Sequence, residues 1–221
     1  MTIINGTKPF DMTKLEAFVG KAVTEAAITL SSSLVVIGDK LGFYKALAGS
    51  GPLTSTELAT RTHTSERYVR EWLLNQAAGG FVDYDSSAQR YSLSPENAIA
   101  LTDESSTAFV IGLFQTAVAI SRAEARIIEA FKTGSGMSWG EHDPYLIHGT
   151  QRLFRPGYTA NLVSNWLPAL EGVTAKLEAG ASVADVGCGI GMSTILMAQA
   201  YPHSHFSGFD FHAPSIEQAR Q

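Results

Sequence analysis

Residues 183–194 read VADVGCGIGMST, a short apolar run that passes into a loop with three glycines. This pattern predicts a strand over Ser182–Val186 and a helix over Met192–Ala200. A second strand is predicted over Ser204–Phe209, and it ends at Asp210. Strand, glycine loop, helix, strand and acidic residue is the order in which a parallel nucleotide-binding sheet begins.

The spacing of the glycines narrows the kind of ligand. They stand at positions 187, 189 and 191, whereas a dinucleotide-binding loop needs its third glycine at the position of Met192. A P-loop would continue with Lys and then Ser or Thr, and this sequence does not. Asp185, two residues before the first glycine, would repel a pyrophosphate. The glycines alone also fit a purely structural turn, but together with Asp185 and Asp210 they favour a cationic ligand without phosphate.

S-adenosylmethionine is a ligand of this kind, because it carries an ammonium, a sulfonium and a ribose diol but no phosphate. Asp210 stands at the end of the second predicted strand, where a carboxylate can accept hydrogen bonds from both ribose hydroxyls. The sequence therefore predicts S-adenosylmethionine as the cofactor.

Several segments also resemble a known family. VADVGCGIGMST (183–194) and FSGFDFHAPSIEQAR (206–220) resemble motif I and the acidic motif II of class I S-adenosylmethionine-dependent methyltransferases. LFRPGY (153–158) and WLPALEGVTAKL (166–177), with a winged-helix segment before them, resemble a bacterial and mycobacterial subgroup that has an N-terminal winged-helix domain. The resemblance covers residues from about 37 to 221.

The resemblance implies a set of cofactor-binding residues. The three glycines let the backbone approach the cofactor, Asp185 faces the methionine ammonium directly or through water, and Asp210 holds the ribose. Phe211 lies near the adenine. Cys188 lines the loop, although a small buried filler is an equal interpretation. Phe154, Arg155 and Tyr158 cover the cofactor, with packing an equal explanation for the two aromatic residues. The full set expected to bind the cofactor is Asp185, Gly187, Cys188, Gly189, Gly191, Asp210, Phe211 and Tyr158.

Methyl transfer is an in-line displacement on an activated carbon, so positioning and exclusion of water can carry most of the catalysis. A base is needed only if the acceptor must lose a proton. His142 and His148 are the candidates, because histidine titrates near neutral pH. The alternative is that WGEHDPY (139–145) is a polar surface loop. No metal is expected, since these residues and their acidic neighbours match no established ligand spacing. The acceptor is expected to be a small, partly aromatic molecule, methylated on oxygen, nitrogen or carbon.

The N-terminal half predicts a winged helix-turn-helix. Two helices are expected over Thr13–Ala48, a short helix over Thr54–Thr60 and a further helix over Thr64–Ala78. Strands over Phe81–Tyr84 and Arg90–Leu93 would form the wing. Helices followed by a two-stranded wing are typical of this motif.

The whole chain is expected to combine a mostly α N-terminal winged-helix domain with the first β-α-β part of a Rossmann-like α/β methyltransferase domain. Residues 1–104 form the helical and winged-helix dimerisation domain, and 105–174 a helical linker that contributes the acceptor pocket. Residues 175–221 form an incomplete cofactor domain, because such a domain usually has about 150 residues. The chain is therefore expected to be truncated after motif II and of doubtful activity. Within 105–174, one helical region is predicted over Ser105–Phe131 and irregular structure over Gly134–Gly149.

Charge and composition exclude several function classes. The chain has 221 residues, 45% hydrophobic and 17% charged, with a net charge of −5, which fits a folded soluble protein. An acidic protein is poorly suited to coat nucleic acid or anionic membrane. Arg67 and Arg70 in the second winged-helix helix are offset by Glu66 and Glu71, so a homodimer module is favoured over DNA binding. The alternatives are a winged-helix transcriptional regulator and an inactive remnant that acts through its helical surface.

The expected location is the cytoplasm. Cys188 is the single cysteine, which excludes an internal disulfide. Residues 1–11 lack the basic and apolar regions of a signal peptide. The apolar runs Ala26–Gly38 and Ala108–Ile120 fall short of the roughly 20 residues that span a bilayer. The apolar helices over Ala26–Leu47 and Ser105–Phe131 are expected to supply apolar surface for a dimer and for the acceptor pocket.

Overall fold

A computed structural model describes residues 10–221; the first nine residues of the expected 1–104 domain, and most of the stretch compared with a signal peptide, lie outside the described residues. The N-terminal elements are α1 (Met12–Lys40), α2 (Phe43–Leu47), α3 (Ser55–Thr62), α4 (Glu66–Ala78), β1 (Asp83–Asp85), β2 (Arg90–Ser92) and α5 (Pro95–Thr102). The remaining elements are α6 (Ile111–Arg122), α7 (Glu124–Thr133), a 3₁₀ turn (Trp139–Glu141), α8 (Pro144–Asn161), a π-helical turn (Leu162–Trp166), α9 (Val173–Ala179), β3 (Ser182–Val186), α10 (Met192–Ala200), β4 (His205–Phe209) and α11 (Ala213–Ala219).

The winged helix-turn-helix prediction is confirmed, and a capping box begins its first short helix. Thr54 Oγ1 accepts from Glu57 N–H (3.2 Å), and the Glu57 carboxylate accepts from Thr54 N–H (2.7 Å). Strands β1 and β2 pair antiparallel. The wing begins at Asp83, two residues later than predicted, because the N–H groups of Phe81 and Val82 close the end of α4 on Gln76 O instead of entering the sheet.

The core of this domain is built around Trp72. Its indole N–H donates to Leu34 O (2.8 Å), and the rings of Phe43 and Tyr44 meet it edge-on at 4.8 and 5.1 Å between centroids. A Cβ on Gly38 would overlap the Trp72 ring, so the two helices approach closely there. These contacts fasten the C-terminal part of α1 to the winged helix.

The N-terminal part of α1 makes no comparable contact. Every described residue from Asp11 to Leu30 is exposed, including Phe18 at 68% and Leu30 at 75%. By length and composition alone α1 could cross a membrane, although the continuous apolar run within it, Ala26–Gly38, is too short to do so by itself. An exposed apolar helix at a protein interface has the same composition, so these properties do not place α1 in a membrane.

Two predictions in the middle of the chain are wrong. The expected single helical region over Ser105–Phe131 is two helices that break at Ala123, preceded by a turn in which Asp103 Oδ1 accepts from Ser105 N–H (2.9 Å). The expected irregular region over Gly134–Gly149 is only half irregular. Asp143 accepts from Tyr145 N–H (2.8 Å), and Pro144 follows at the first helical position, so α8 begins there.

Helices α6 and α8 cross at two glycines. A Cβ on Gly112 would stand 2.5 Å from Leu153 N and 2.6 Å from Gly149 O, and a Cβ on Gly149 would stand 2.8 Å from Thr116 N. The two backbones can therefore approach only because neither position carries a side chain. This crossing fixes where α8 lies relative to the rest of the helical region.

The C-terminal elements form as predicted. Strand β3 and helix α10 have the predicted bounds, and β4 begins at His205, one residue later than expected. The strands pair parallel from Ser182 opposite His205 to Val186 opposite Phe209. A small core holds these elements together, and its buried members are Leu162, Leu167, Leu177, Met197 and Tyr201.

We expect Gly112→Ala to lower the free energy of unfolding by about 1–3 kcal/mol, because the new methyl meets backbone that cannot rotate away. The matched control is Gly157→Ala in α8, where a Cβ has open space and a negative φ. That change should be neutral or stabilise by up to about 1 kcal/mol. Urea unfolding followed by circular dichroism measures both, and equal midpoints for the two variants would contradict the close crossing.

Candidate functional site

The glycine loop between β3 and α10 has a backbone conformation that favours glycine at three positions. Gly187, Gly189 and Gly191 have φ values of +81°, +55° and +78°, a region that L side chains rarely adopt. The N–H groups of Gly187 and Cys188 both donate to Phe209 O, at 2.7 and 3.0 Å. Beside Gly187 and Gly189 there is open space where a Cβ would stand. The loop thus exposes bare backbone next to the end of the sheet.

Asp210 fastens this loop. Its Oδ2 accepts from Gly189 N–H (2.8 Å), and its Oδ1 accepts from His212 N–H (2.8 Å). Each carboxylate oxygen keeps a further lone-pair direction, so the group can also accept from a ligand.

Asp185 is turned toward the start of α10. Its Oδ2 accepts from the hydroxyls of Ser193 (2.7 Å) and Thr194 (2.6 Å). The two hydroxyl groups therefore cover one oxygen of the Asp185 carboxylate.

A cavity of about 210 Å³ lies between α8 and the glycine loop. It brings together Tyr158, Gly187, Cys188 and Gly189 of the predicted cofactor set. The other members of that set, Asp185, Gly191, Asp210 and Phe211, do not line it. Phe211, expected near the adenine, is 79% exposed. The cavity is lined by Trp139, Ile147, Thr150, Gln151, Phe154, Arg155, Tyr158, Gly187, Cys188, Gly189, Ile190, Met192, Ser193 and Ser215.

Several lining residues were missed from the sequence. Ile147 falls in the stretch predicted to be irregular, and Thr150 and Gln151 directly follow that stretch; all three recur at helical spacing with Phe154. The signal that could have revealed them is the Asp143-Pro144 helix start. Arg155 also lines the cavity and forms no ion pair within residues 10–221.

The loop has a negative electrostatic character. Partial burial raises the pKa of the Cys188 thiol, and the carboxylates of Asp185 and Asp210 raise it further. The site therefore disfavours an added anion and favours a cation.

The candidate bases lie apart from the cavity lining. His148 is exposed on α8, and His142 is half-buried with its ring centroid 6.1 Å from that of Trp139. The Nδ1 atom of His142 is buried and has no hydrogen-bond partner among the described residues. The structure thus brings neither histidine to the glycine loop.

Their acidic neighbours are already paired. Glu141 accepts from Ser138 N–H (2.8 Å) and pairs with Arg126, and these contacts lower the pKa of its carboxyl. Asp143 accepts from Tyr145 N–H and pairs with Arg122 (3.0 Å), and its pKa is lowered as well. Within the described part of the chain, no group of three His, Cys, Asp or Glu side chains is placed to hold a metal ion.

Comparison with known proteins supports both halves of the fold. An Rv2258c-like winged HTH domain family matches residues 26–103. No curated protein matches the sequence. Among solved structures, the mitomycin 7-O-methyltransferase MmcR is 20% identical with a TM-score of 0.66, over 94% of this chain and 62% of that one.

Two further structures show the same arrangement. Human N-acetylserotonin methyltransferase in complex with SAM is 16% identical with a TM-score of 0.60, over 98% of this chain and 64% of that one. An O-methyltransferase family protein from Burkholderia thailandensis is 14% identical with a TM-score of 0.60, over 96% and 60%. The chain therefore has an N-terminal winged-helix domain followed by part of a Rossmann-like methyltransferase fold, and it spans about three fifths of the length of these structures.

We expect the labelling of Cys188 by a thiol reagent to rise with pH only above the ordinary thiol pKa of about 8.5, because burial and two carboxylates disfavour the thiolate. Since the chain has a single cysteine, the reaction reports one site. The pH at half-maximal rate should exceed that of the same protein unfolded in urea. Coincident pH profiles for folded and unfolded protein would contradict this electrostatic description of the loop.

Proposed function

We propose that the protein is an S-adenosylmethionine-dependent methyltransferase that acts on a small-molecule acceptor, with the cofactor bound in the cavity between α8 and the glycine loop. The observation that carries the proposal is the meeting of the bare glycine backbone with Tyr158, Arg155 and Ser193 around one cavity. The complex of a structural neighbour with SAM is consistent with it.

The residues present fit this cofactor. The open space beside Gly187 and Gly189 admits a ligand to the backbone, which a Cβ would obstruct. The hydroxyl of Ser193, backed by the Asp185 carboxylate, suits an ammonium, and the Arg155 guanidinium, which has no ion-pair partner among residues 10–221, suits a carboxylate. Together these groups complement an amino-acid zwitterion. Asp210 can accept from ribose hydroxyls while it holds Gly189.

The chemistry supplied by the bound cofactor is a methyl group already activated on a sulfonium. The work of this chain is then to position the acceptor and to exclude water. Trp139, Phe154 and Tyr158 supply aromatic surface at the cavity, which suits a flat acceptor and a neighbouring cation. Among the described lining residues there is no carboxylate or histidine, so the roles of His142 and His148 as bases stay predictions.

Cofactor binding is tested by calorimetry with S-adenosylhomocysteine, the demethylated product. We expect Asp210→Ala to weaken binding by about tenfold or more, because it loses charge-assisted hydrogen bonds to the ligand and to the loop. Glu141→Ala is the matched control, since this carboxylate pairs with Arg126 outside the cavity lining. Equal affinities for the two variants would contradict the assigned site, and no binding by the unmodified chain would overturn the proposal that it holds the cofactor.

The proposed assembly is a homodimer formed through the exposed helices. The first two turns and middle of α1 present apolar side chains to solvent, and α6 and α7 add more beside them, including Ile120, Ile128 and Phe131. Apolar surface of this extent on one side of a protein marks an interaction site. A second copy of the chain would bury it.

Leu30→Glu is expected to shift the protein from dimer to monomer, because a buried unpaired carboxylate at the interface is strongly unfavourable. Ser86→Glu in the exposed turn of the wing is the control and should leave the mass unchanged. Light scattering coupled to size exclusion gives the mass of each variant. A monomeric unmodified protein would contradict the dimer.

The competing function is a transcriptional regulator, which the winged-helix domain alone would also fit. Three arginines of the domain are paired within it, Arg67 with Glu71, Arg70 with Glu66 (3.6 Å) and Arg90 with Glu57 (2.9 Å), whereas the exposed Arg61 of α3 forms no ion pair among residues 10–221. These pairs reduce the positive field that DNA binding needs. In a DNA mobility-shift assay with the unmodified protein, sequence-specific and salt-sensitive binding would favour the regulator instead.

A further inference from the structure

The carboxylate of Asp185 receives two hydroxyl groups on the same oxygen, and the two hydroxyls have different surroundings. Ser193 lines the cavity beside the glycine loop. Thr194 does not line it, and its Oγ1 lies 3.3 Å from where a Cβ on Gly208 in β4 would stand. The chain thus contains a natural pair of hydroxyls that share an acceptor but differ in access to the ligand.

The direction of the Ser193 hydrogen bond determines whether the hydroxyl proton or the oxygen lone pairs face the cavity. An ionised carboxylate can only accept, so the single hydroxyl proton of Ser193 points to Asp185 at 2.7 Å. Toward the cavity the oxygen then offers lone pairs alone, with a negative charge directly behind it. Such an oxygen accepts a hydrogen bond from a donor, and the charge behind it favours a cationic donor.

We infer that Ser193 is the specificity-determining contact for the ammonium group of the cofactor, with Asp185 acting through it and Thr194 holding Asp185 in place. The inference rests on the proposed function and refines it: the carboxylate expected to face the ammonium reaches it through a protein hydroxyl. Ser193 would then give ligands that carry the α-ammonium a higher affinity than adenosine thioethers that lack it.

The test compares Ser193→Ala with Thr194→Val in the full chain. Calorimetry measures the affinity for S-adenosylhomocysteine and for 5′-methylthioadenosine, which has the same nucleoside and thioether but no amino-acid part. Ser193→Ala should weaken S-adenosylhomocysteine binding by about tenfold or more, the loss of one hydrogen bond to a charged group. Its affinity for 5′-methylthioadenosine should stay within about twofold of the unmodified protein. Thr194→Val should weaken S-adenosylhomocysteine binding by less than about threefold.

A double-mutant cycle with Asp185→Asn adds a readout that a structural role would not give. Because Ser193 and Asp185 act as one unit, Ser193→Ala should cost clearly less in the Asp185→Asn background than in the unmodified one. Equal losses for Ser193→Ala and Thr194→Val would show that both hydroxyls only orient Asp185, and equal losses for both ligands would show a general disturbance of the loop. Either result overturns the inference while the proposed function stands, whereas failure of the unmodified chain to bind either ligand overturns both.

Discussion

The ion pair between Arg152 and Asp39 links α8, which forms a wall of the cavity, to α1 of the N-terminal region. The guanidinium donates to both oxygens of Asp39 at 2.7 and 3.1 Å and to Glu104 at 2.8 Å, across more than a hundred residues of sequence from α8 to α1. Both partners of the main pair are largely shielded from water. Removing Arg152 would leave the shielded Asp39 carboxylate without its counter-charge, so the pair acts as a constraint on position. Helix α8 is thereby set on the winged-helix domain through one face, while its other face forms a wall of the cavity.

This arrangement gives the winged helix a role that requires no nucleic acid. Trp72 packs against α1 at Gly38 and so holds that helix on the domain. The next residue of α1, Asp39, pairs with Arg152, and this ion pair holds α8 in turn. The fold is then a scaffold for the pocket. Because a fold by itself does not specify a function, the pairing of Arg67, Arg70 and Arg90 with glutamates weighs more against DNA binding than the winged-helix fold weighs in its favour.

Local signals explain which parts could be predicted from the sequence. Strand β3 and helix α10 match their predicted bounds because a β-branched run, three glycines and an apolar helix are all local features. The break at Ala123 has no glycine or proline to mark it, so no local signal in the sequence predicts it. The orientation of Asp185 could not be predicted either, because it depends on how the first turn of α10 presents Ser193 and Thr194. Tertiary packing decides such features, and the sequence pattern does not contain them.

The proposed preference for a cation over phosphate rests on hydrogen bonds within the chain that need no ligand. Asp210 is fixed by two backbone N–H groups and Asp185 by two hydroxyls, so neither carboxylate needs to be ordered on binding. A cationic ligand therefore meets a preorganised acceptor set and avoids most of the ordering cost. Neither carboxylate lines the cavity, so a pyrophosphate beside the glycine loop would meet their negative charge through Ser193 and the loop backbone and not by direct contact. In the proposed function, this charge makes a glycine loop of the kind that cradles phosphate in other folds better suited to a cation.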